Sequence, residues 1–160
     1  MLEFSLLDLG APATVASCDA VEQISAVVEM LAPFAAARGV AIRARLPERA
    51  RARVDGDACV QAVANLLQNA IKYGREGGSA EIECVRDGPC VTIAVQDDGA
   101  GIAPGERDAI FRFGFRSSGE RDGRGIVLAV VRAIAQRAGG EVGVEPSAGG
   151  ARFVLTFPAG

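Results

Sequence analysis

The chain has 160 residues, 49% of them hydrophobic, with 20 glycines and a formal net charge of −3. That is enough apolar material for one domain with a real core, and a net negative chain with no long basic run argues against a nucleic-acid partner. There is no histidine, which excludes Ser-His-Asp and Cys-His catalysis, histidine metal sites, and a histidine base or phosphoacceptor within this chain.

Residues 1–14 read as a linker or the end of a preceding segment, and residues 15–160 as the domain. The N-terminus has Glu3 and no basic region, so it does not read as a signal peptide. Asp19 is placed to cap a helix through VEQISAVVEMLAPFAAAR, with Val21, Ile24, Val27, Val28 and Leu31 as its apolar stripe. Pro33 is expected to bend or end it, and Gly39 to stop it. Glu29, Pro33 and Arg38 interrupt this stretch, the longest candidate for a membrane span, so no membrane contact is expected. Val40–Leu46 alternates apolar and basic residues and reads as a half-buried strand, with a second short strand near Ala52–Val54.

The stretch Asp57–Gly74, DACVQAVANLLQNAIKYG, holds both asparagines of the chain, Asn65 and Asn69, its only lysine, Lys72, and its only tyrosine, Tyr73. At helical periodicity Val60, Val63, Ala64, Leu67, Ala70 and Ile71 share one face, and Asn65, Asn69 and Lys72 share the other. Asp57 is the expected N-cap and Gly74 the C-terminal stop. Amide oxygens suit a hard cation such as Mg²⁺, and an ammonium suits phosphate. A solvated face of an ordinary amphipathic helix is the competing reading of the same pattern.

Next come two strands, Ala80–Val85 and Cys90–Gln96, joined by the turn RDGP (Arg86–Pro89). Asp97 ends the second strand and opens DDGAGIAP, a carboxylate followed by glycines that let a ligand approach the backbone. A short helix is expected at Gly105–Phe111, and Phe111, Phe113 and Phe115 then alternate beside an arginine- and glycine-rich segment that reads as a lid. Gly123-Arg124-Gly125 precedes an apolar helix expected at Ile126–Ala138, and glycines at a helix N-terminus favour an anion. Glu141–Glu145 and Ala151–Phe157 are the closing strands. The sum is an α+β, two-layer α/β sandwich with a mixed sheet of about five strands and helices on one face. The four cysteines show no CxxC spacing, so a reduced, cytoplasmic setting is the simplest reading.

Four stretches in this order, NLLQNAIKYG, DDGAGI, IFRFGFRS and DGRGIVLAVVRAI, resemble the asparagine, first glycine, phenylalanine and second glycine boxes of the ATP-binding domain of sensor histidine kinases. The superfamily also includes gyrase and the ninety-kilodalton heat-shock chaperones. The resemblance runs from about residue 15 to 158 and implies Mg²⁺ and ATP as cofactors. It implies that Asn69 holds the Mg²⁺ with Asn65 in support, that Lys72 contacts the phosphates, and that Tyr73 closes over the nucleotide. Asp97 would accept from the adenine amine, with Gly99, Gly101 and Ile102 shaping the pocket. Gly123, Gly125 and Leu128 belong to the second glycine box, whose glycines would cradle the triphosphate, helped by Arg116 or Arg124.

Superfamily members that hydrolyse ATP place a glutamate where this chain has Asn65, and an amide cannot act as a base. The resemblance therefore implies phosphoryl transfer to a histidine outside this chain, on a dimerisation domain of which residues 1–14 would be a remnant or linker, and onward to a response regulator. Three positions depart from the family pattern. Val127 replaces a glycine of the second glycine box, Ala151 stands where Thr or Ser is common, and Gly114 where phenylalanine is common. Val127 motivates an alternative, a degenerate nucleotide-binding or partner-docking module; an anti-sigma-type serine kinase is a further one.

Overall fold

A computed structural model describes residues 16–102, 104–106, 109–111, 124–145 and 149–160. A two-residue strand β1 (Cys18–Asp19) leads into helix α1 (Ala20–Ala37). The Asp19 carboxylate accepts from Val21 N–H at 3.1 Å as the N-cap, and also from Ala50 N–H at 2.9 Å. Ile24 and Val27 are fully buried as the periodicity predicts, with Val21, Val28 and Leu31 packed at the margin of the core. Pro33 sits inside α1 without ending it; the helix runs on to Ala37 and is capped at Arg38. Among the described residues α1 is the one helix long and apolar enough to cross a membrane, by length and composition only; Ala20, Ile24, Val27 and Ala35 are its buried residues.

Strand β2 (Ala41–Arg45) follows, then β3 (Arg51–Ala52). The expected strand near Ala52–Val54 does not join the main sheet: β3 pairs antiparallel with β1 in a separate two-stranded ribbon. Ala50, Ala52 and Val54 are buried, and the arginines between them are exposed.

Helix α2 (Gly56–Tyr73) carries both asparagines. Its N-cap is Asp55, whose carboxylate accepts from Ala58 N–H at 3.2 Å, and not Asp57, which lies in the first turn. Asp57 at the start and Lys72 at the end complement the helix dipole. Gly74 caps the C-terminus with its N–H on the Ala70 carbonyl, in extended rather than left-handed backbone (φ −74°). Cys59, Ala62, Val63, Leu66, Leu67 and Ile71 are fully buried, a wider face than the stripe the periodicity marks. Each buried leucine or isoleucine stabilises the fold by about 1.5–3 kcal/mol relative to exposure.

Strands β4 (Ser79–Asp87) and β5 (Cys90–Gln96) form the expected hairpin, with Asp87 opposite Cys90 and Gly88 at φ 59° in the first loop position. In place of the expected short helix at Gly105–Phe111, single 3₁₀ turns occur at Pro104–Glu106 and Ala109–Phe111. Helix α3 (Arg124–Arg137) and strands β6 (Glu141–Glu145) and β7 (Arg152–Pro158) complete the chain. The five-stranded sheet has the order β2-β4-β5-β7-β6, with β2 and β4 parallel and the other neighbours antiparallel. Alternate residues on β4, β5 and β7, among them Ile82, Ile93 and Leu155, are buried beneath the helices. On the opposite face Arg152 reaches Glu145 on neighbouring β6 at 3.2 Å and, across β5, Glu83 on β4 at 3.5 Å. The architecture is the expected α+β sandwich.

Candidate nucleotide site

Asp97 is the first residue past β5 and is 3% exposed. A buried carboxylate is costly unless hydrogen-bonded, and here one oxygen, Oδ1, accepts from Gly99 N–H at 2.8 Å and from Ala151 N–H at 3.2 Å. Asp97 N–H donates in turn to the Ala151 carbonyl at 3.0 Å, which continues the β5–β7 pairing one step past the strands. The carboxylate is thus fixed between the first glycine box and the closing hairpin.

The glycines of that box are required by close packing. A Cβ on Gly99 would collide with the Tyr73 carbonyl and lie 3.1 Å from Gly74 Cα, so the box sits flush against the end of α2. Gly101 has φ +81°, and a Cβ there would meet the Gly150 carbonyl at 2.9 Å. Gly101 and half-buried Ile102 line a cavity of about 130 Å³ with Ala100, Val144, Gly150 and Ala151.

Asn69 is buried, 4% exposed, rather than on a solvated face; Asn65, one turn earlier, is half-buried. The bland reading of the helix as an amphipath with a wet polar side therefore fails at Asn69. Lys72 is exposed, with its Nζ 5.7 Å from the centre of the half-buried Tyr73 ring. Among the described residues no three His, Cys, Asp or Glu side chains gather into a metal cage. An amide oxygen such as that of Asn69 suits Mg²⁺, which prefers water and phosphate oxygens to an all-protein cage.

Leu128 is fully buried on α3, which packs against α2. The helix starts at Arg124, so Arg124 and Gly125 belong to its first turn instead of preceding it. Arg116, Gly123, Phe113 and Phe115, and with them the lid, lie outside the described residues. Phe111 is a core residue, buried and edge-on to Phe153 with ring centres 6.1 Å apart.

One participant escaped the sequence reading. Asp98 faces away from Asp97 and binds the α2–β4 turn, accepting from Arg75 N–H at 3.1 Å and Ser79 N–H at 2.9 Å. Partial burial pushes its carboxyl up, but the two amides and the Arg75 guanidinium outweigh this and hold it below the usual carboxylate value. Arg38 grips the same region from the other side, with Nε on the Ile71 carbonyl at 2.9 Å and a guanidinium nitrogen 3.4 Å from the Gly74 carbonyl.

Residues 54–160 match the model of the histidine kinase-, DNA gyrase B- and HSP90-like ATPase family. The chain is 32% identical over 145 residues to the alginate biosynthesis sensor protein KinB of Pseudomonas aeruginosa, covering 89% of this chain and 24% of that protein. It is 35% identical over 125 residues to the sensor-like histidine kinase SenX3 of Mycobacterium tuberculosis, covering 75% and 30%. The chain thus spans under a third of the length of these relatives. Among solved structures it is similar to the mycobacterial sensor histidine kinase MprB, with a TM-score of 0.81, 26% identity, and 89% and 97% of the two chains covered. It is also similar to full-length ShkA in complex with AMPPNP, with a TM-score of 0.77, 29% identity, and 93% and 32% covered. By sequence and by fold, this chain belongs to the histidine kinase-, DNA gyrase B- and HSP90-like ATPase family, and the similar proteins KinB, SenX3 and MprB are sensor proteins and sensor histidine kinases.

Proposed function

We propose that this chain is the catalytic domain of a cytoplasmic kinase module that binds Mg-ATP and transfers the γ-phosphoryl group to a histidine on a separate dimerisation domain. A response regulator would then receive the phosphoryl group. The observation that supports this best is the buried Asp97 carboxylate, fixed by the Gly99 and Ala151 amides beside the end of a helix bearing Asn65 and Asn69.

In this reading the exocyclic amine of adenine donates to the Asp97 carboxylate, and Gly99, Gly101 and Ile102 form the wall along the base. Tyr73 packs over the nucleotide, and Lys72 binds the phosphates from the end of α2, a charge-assisted contact of about 1.5–3 kcal/mol. The Asn69 amide oxygen would hold Mg²⁺, with Asn65 in support. That ion, when bound, offsets the negative charge of the phosphates. Gly123, Gly125 and either Arg116 or Arg124 would cradle the triphosphate, and Leu128 would back the pocket. An amide at position 65 removes the base that hydrolysis needs, so water is not activated and the phosphoryl group waits for a protein acceptor. Full-length ShkA in complex with AMPPNP is a similar chain holding an ATP analogue, which supports the nucleotide assignment.

The test is transfer in trans. The chain is mixed with γ-labelled ATP, Mg²⁺ and a purified dimerisation domain carrying its histidine. Acid-labile, base-stable label on that domain is expected, lost when its histidine is replaced. ADP release at the same rate with and without the acceptor would overturn the reading.

A further inference from the structure

The turn between α2 and β4 is exposed at Arg75, Glu76 and Gly77, yet it decides where the last turn of α2 ends. Apolar burial does not hold it, so polar ties must. Asp98 supplies two of them, one carboxylate oxygen on each side of the turn: Oδ1 on Arg75 N–H and Oδ2 on Ser79 N–H. The sequence around it is shaped to that contact. A Cβ on Gly78 would lie 2.5 Å from Oδ1 and would overlap Oδ2, although Gly78 has no left-handed backbone to explain a glycine there. Only a residue without a side chain lets the carboxylate lie against the turn.

The tie is one residue from Asp97, and the two carboxylates point to different partners. Asp97 is fixed to Gly99 and Ala151, Asp98 to Arg75 and Ser79. The gap between these anchors is where the Tyr73 carbonyl and Gly74 abut Gly99. We infer that Asp98 is a positioning residue that sets the spacing between the end of the Asn-Lys helix and the first glycine box, and so the width of the base-binding pocket. It does not touch the ligand. The inference rests on the nucleotide-site reading above and adds to it a residue that acts through Tyr73, Gly74 and Asp97.

Two substitutions disturb the tie from opposite sides. Asp98→Asn places an amide N–H₂ against a backbone N–H donor. Gly78→Ala leaves the carboxylate intact and pushes it off the turn. Both are expected to weaken Mg-ATP and adenosine by the same factor, roughly tenfold, since the base end is affected and the phosphate contacts are not. Tyr73 is the only tyrosine and the chain has no tryptophan, so near-ultraviolet fluorescence of the free protein reports the displaced turn directly. It should change in both variants while far-ultraviolet circular dichroism does not. Affinities within twofold of the unmodified chain in both variants would overturn the inference, whether or not the Arg75 and Ser79 amides exchange faster by NMR. Asp97→Asn separates the two levels. If it abolishes binding while Asp98→Asn and Gly78→Ala do not weaken it, only the positioning role fails. If Asp97→Asn leaves adenosine binding unchanged, the site itself is misplaced.

Discussion

Asp97 and Ala151 exchange two hydrogen bonds, Asp97 N–H to the Ala151 carbonyl at 3.0 Å and Ala151 N–H to the Asp97 carboxylate at 3.2 Å. Both bonds use the backbone of residue 151, so the position of the carboxylate does not depend on that residue's side chain. Asp97→Asn can keep its amide oxygen on Gly99 and Ala151 and would then turn N–H₂ toward the base. A donor would face the adenine amine. Calorimetry should show Mg-ATP affinity falling by about 1.5–3 kcal/mol, at least tenfold, with the unfolding midpoint changed little.

The depressed carboxyl of Asp98 ties stability to pH. Its folded-state value lies below that of the unfolded chain, near 3.9. Its contribution is therefore complete above about pH 4–5 and is lost as pH falls through the folded-state value. Urea unfolding at a series of pH values from about 6 to 3 should show the midpoint dropping more steeply in the unmodified chain than in Asp98→Asn. Parallel curves would show that the ties to Arg75 and Ser79 contribute no pH-dependent stability.

Removing Arg38 tests the other grip on the same turn. Its guanidinium bonds the Ile71 and Gly74 carbonyls, which the end of α2 otherwise leaves without helical partners. Arg38→Ala should cost about 1 kcal/mol at this half-exposed position, seen as a lower thermal midpoint. Amide exchange should quicken in the last turn of α2 and stay unchanged at its buried centre, Leu66 and Leu67.

The β4–β5 hairpin and the three long helices were legible because each rests on local chemistry: a cap, a glycine turn or a periodic stripe. Errors arose where a long-range contact chose between local options. Asp55 and Asp57 are equally good caps on paper, and the folded chain uses Asp55. Arg51–Ala52 is too short to reveal that it pairs with Cys18–Asp19 instead of joining the main sheet. Asp98 gave no signal in the sequence because its partners, Arg75 and Ser79, lie more than eighteen residues away. Asn69 sat among polar helix positions, and its burial follows from packing that periodicity does not report.

The cysteines give an independent check on the core. Cys59 is fully buried, and its hydrogen bond with the Cys18 thiol, together with burial, pushes its thiol far up; burial, with the Asp19 carboxylate adding to it, raises Cys84 to about 11. Thiolate is the reactive form, so both are inert at neutral pH while folded. Iodoacetamide at pH 7.5 should label half-exposed Cys90 rapidly, while Cys59 and Cys84 gain adducts only at the rate of unfolding. Rapid labelling of Cys84 by mass spectrometry would contradict the β4 packing.

Val127 is the position where the chain departs most from the family's second glycine box, and the helix there is intact. It is the fourth residue of α3, half-buried, a turn inside the start at Arg124. The free N–H groups of a helix belong to its first turn, so an added side chain at 127 meets the helix flank before it meets a phosphate bound at the N-terminus. Val127→Gly therefore removes packing and adds backbone freedom without opening the anion site. The thermal midpoint should fall, by about 1 kcal/mol of stability. The ratio of Mg-ATP to adenosine affinity should stay within threefold of the unmodified chain. A selective gain in Mg-ATP affinity of tenfold or more would show instead that the valine methyls crowd the phosphates, and that this domain has traded nucleotide affinity for another use of the same surface.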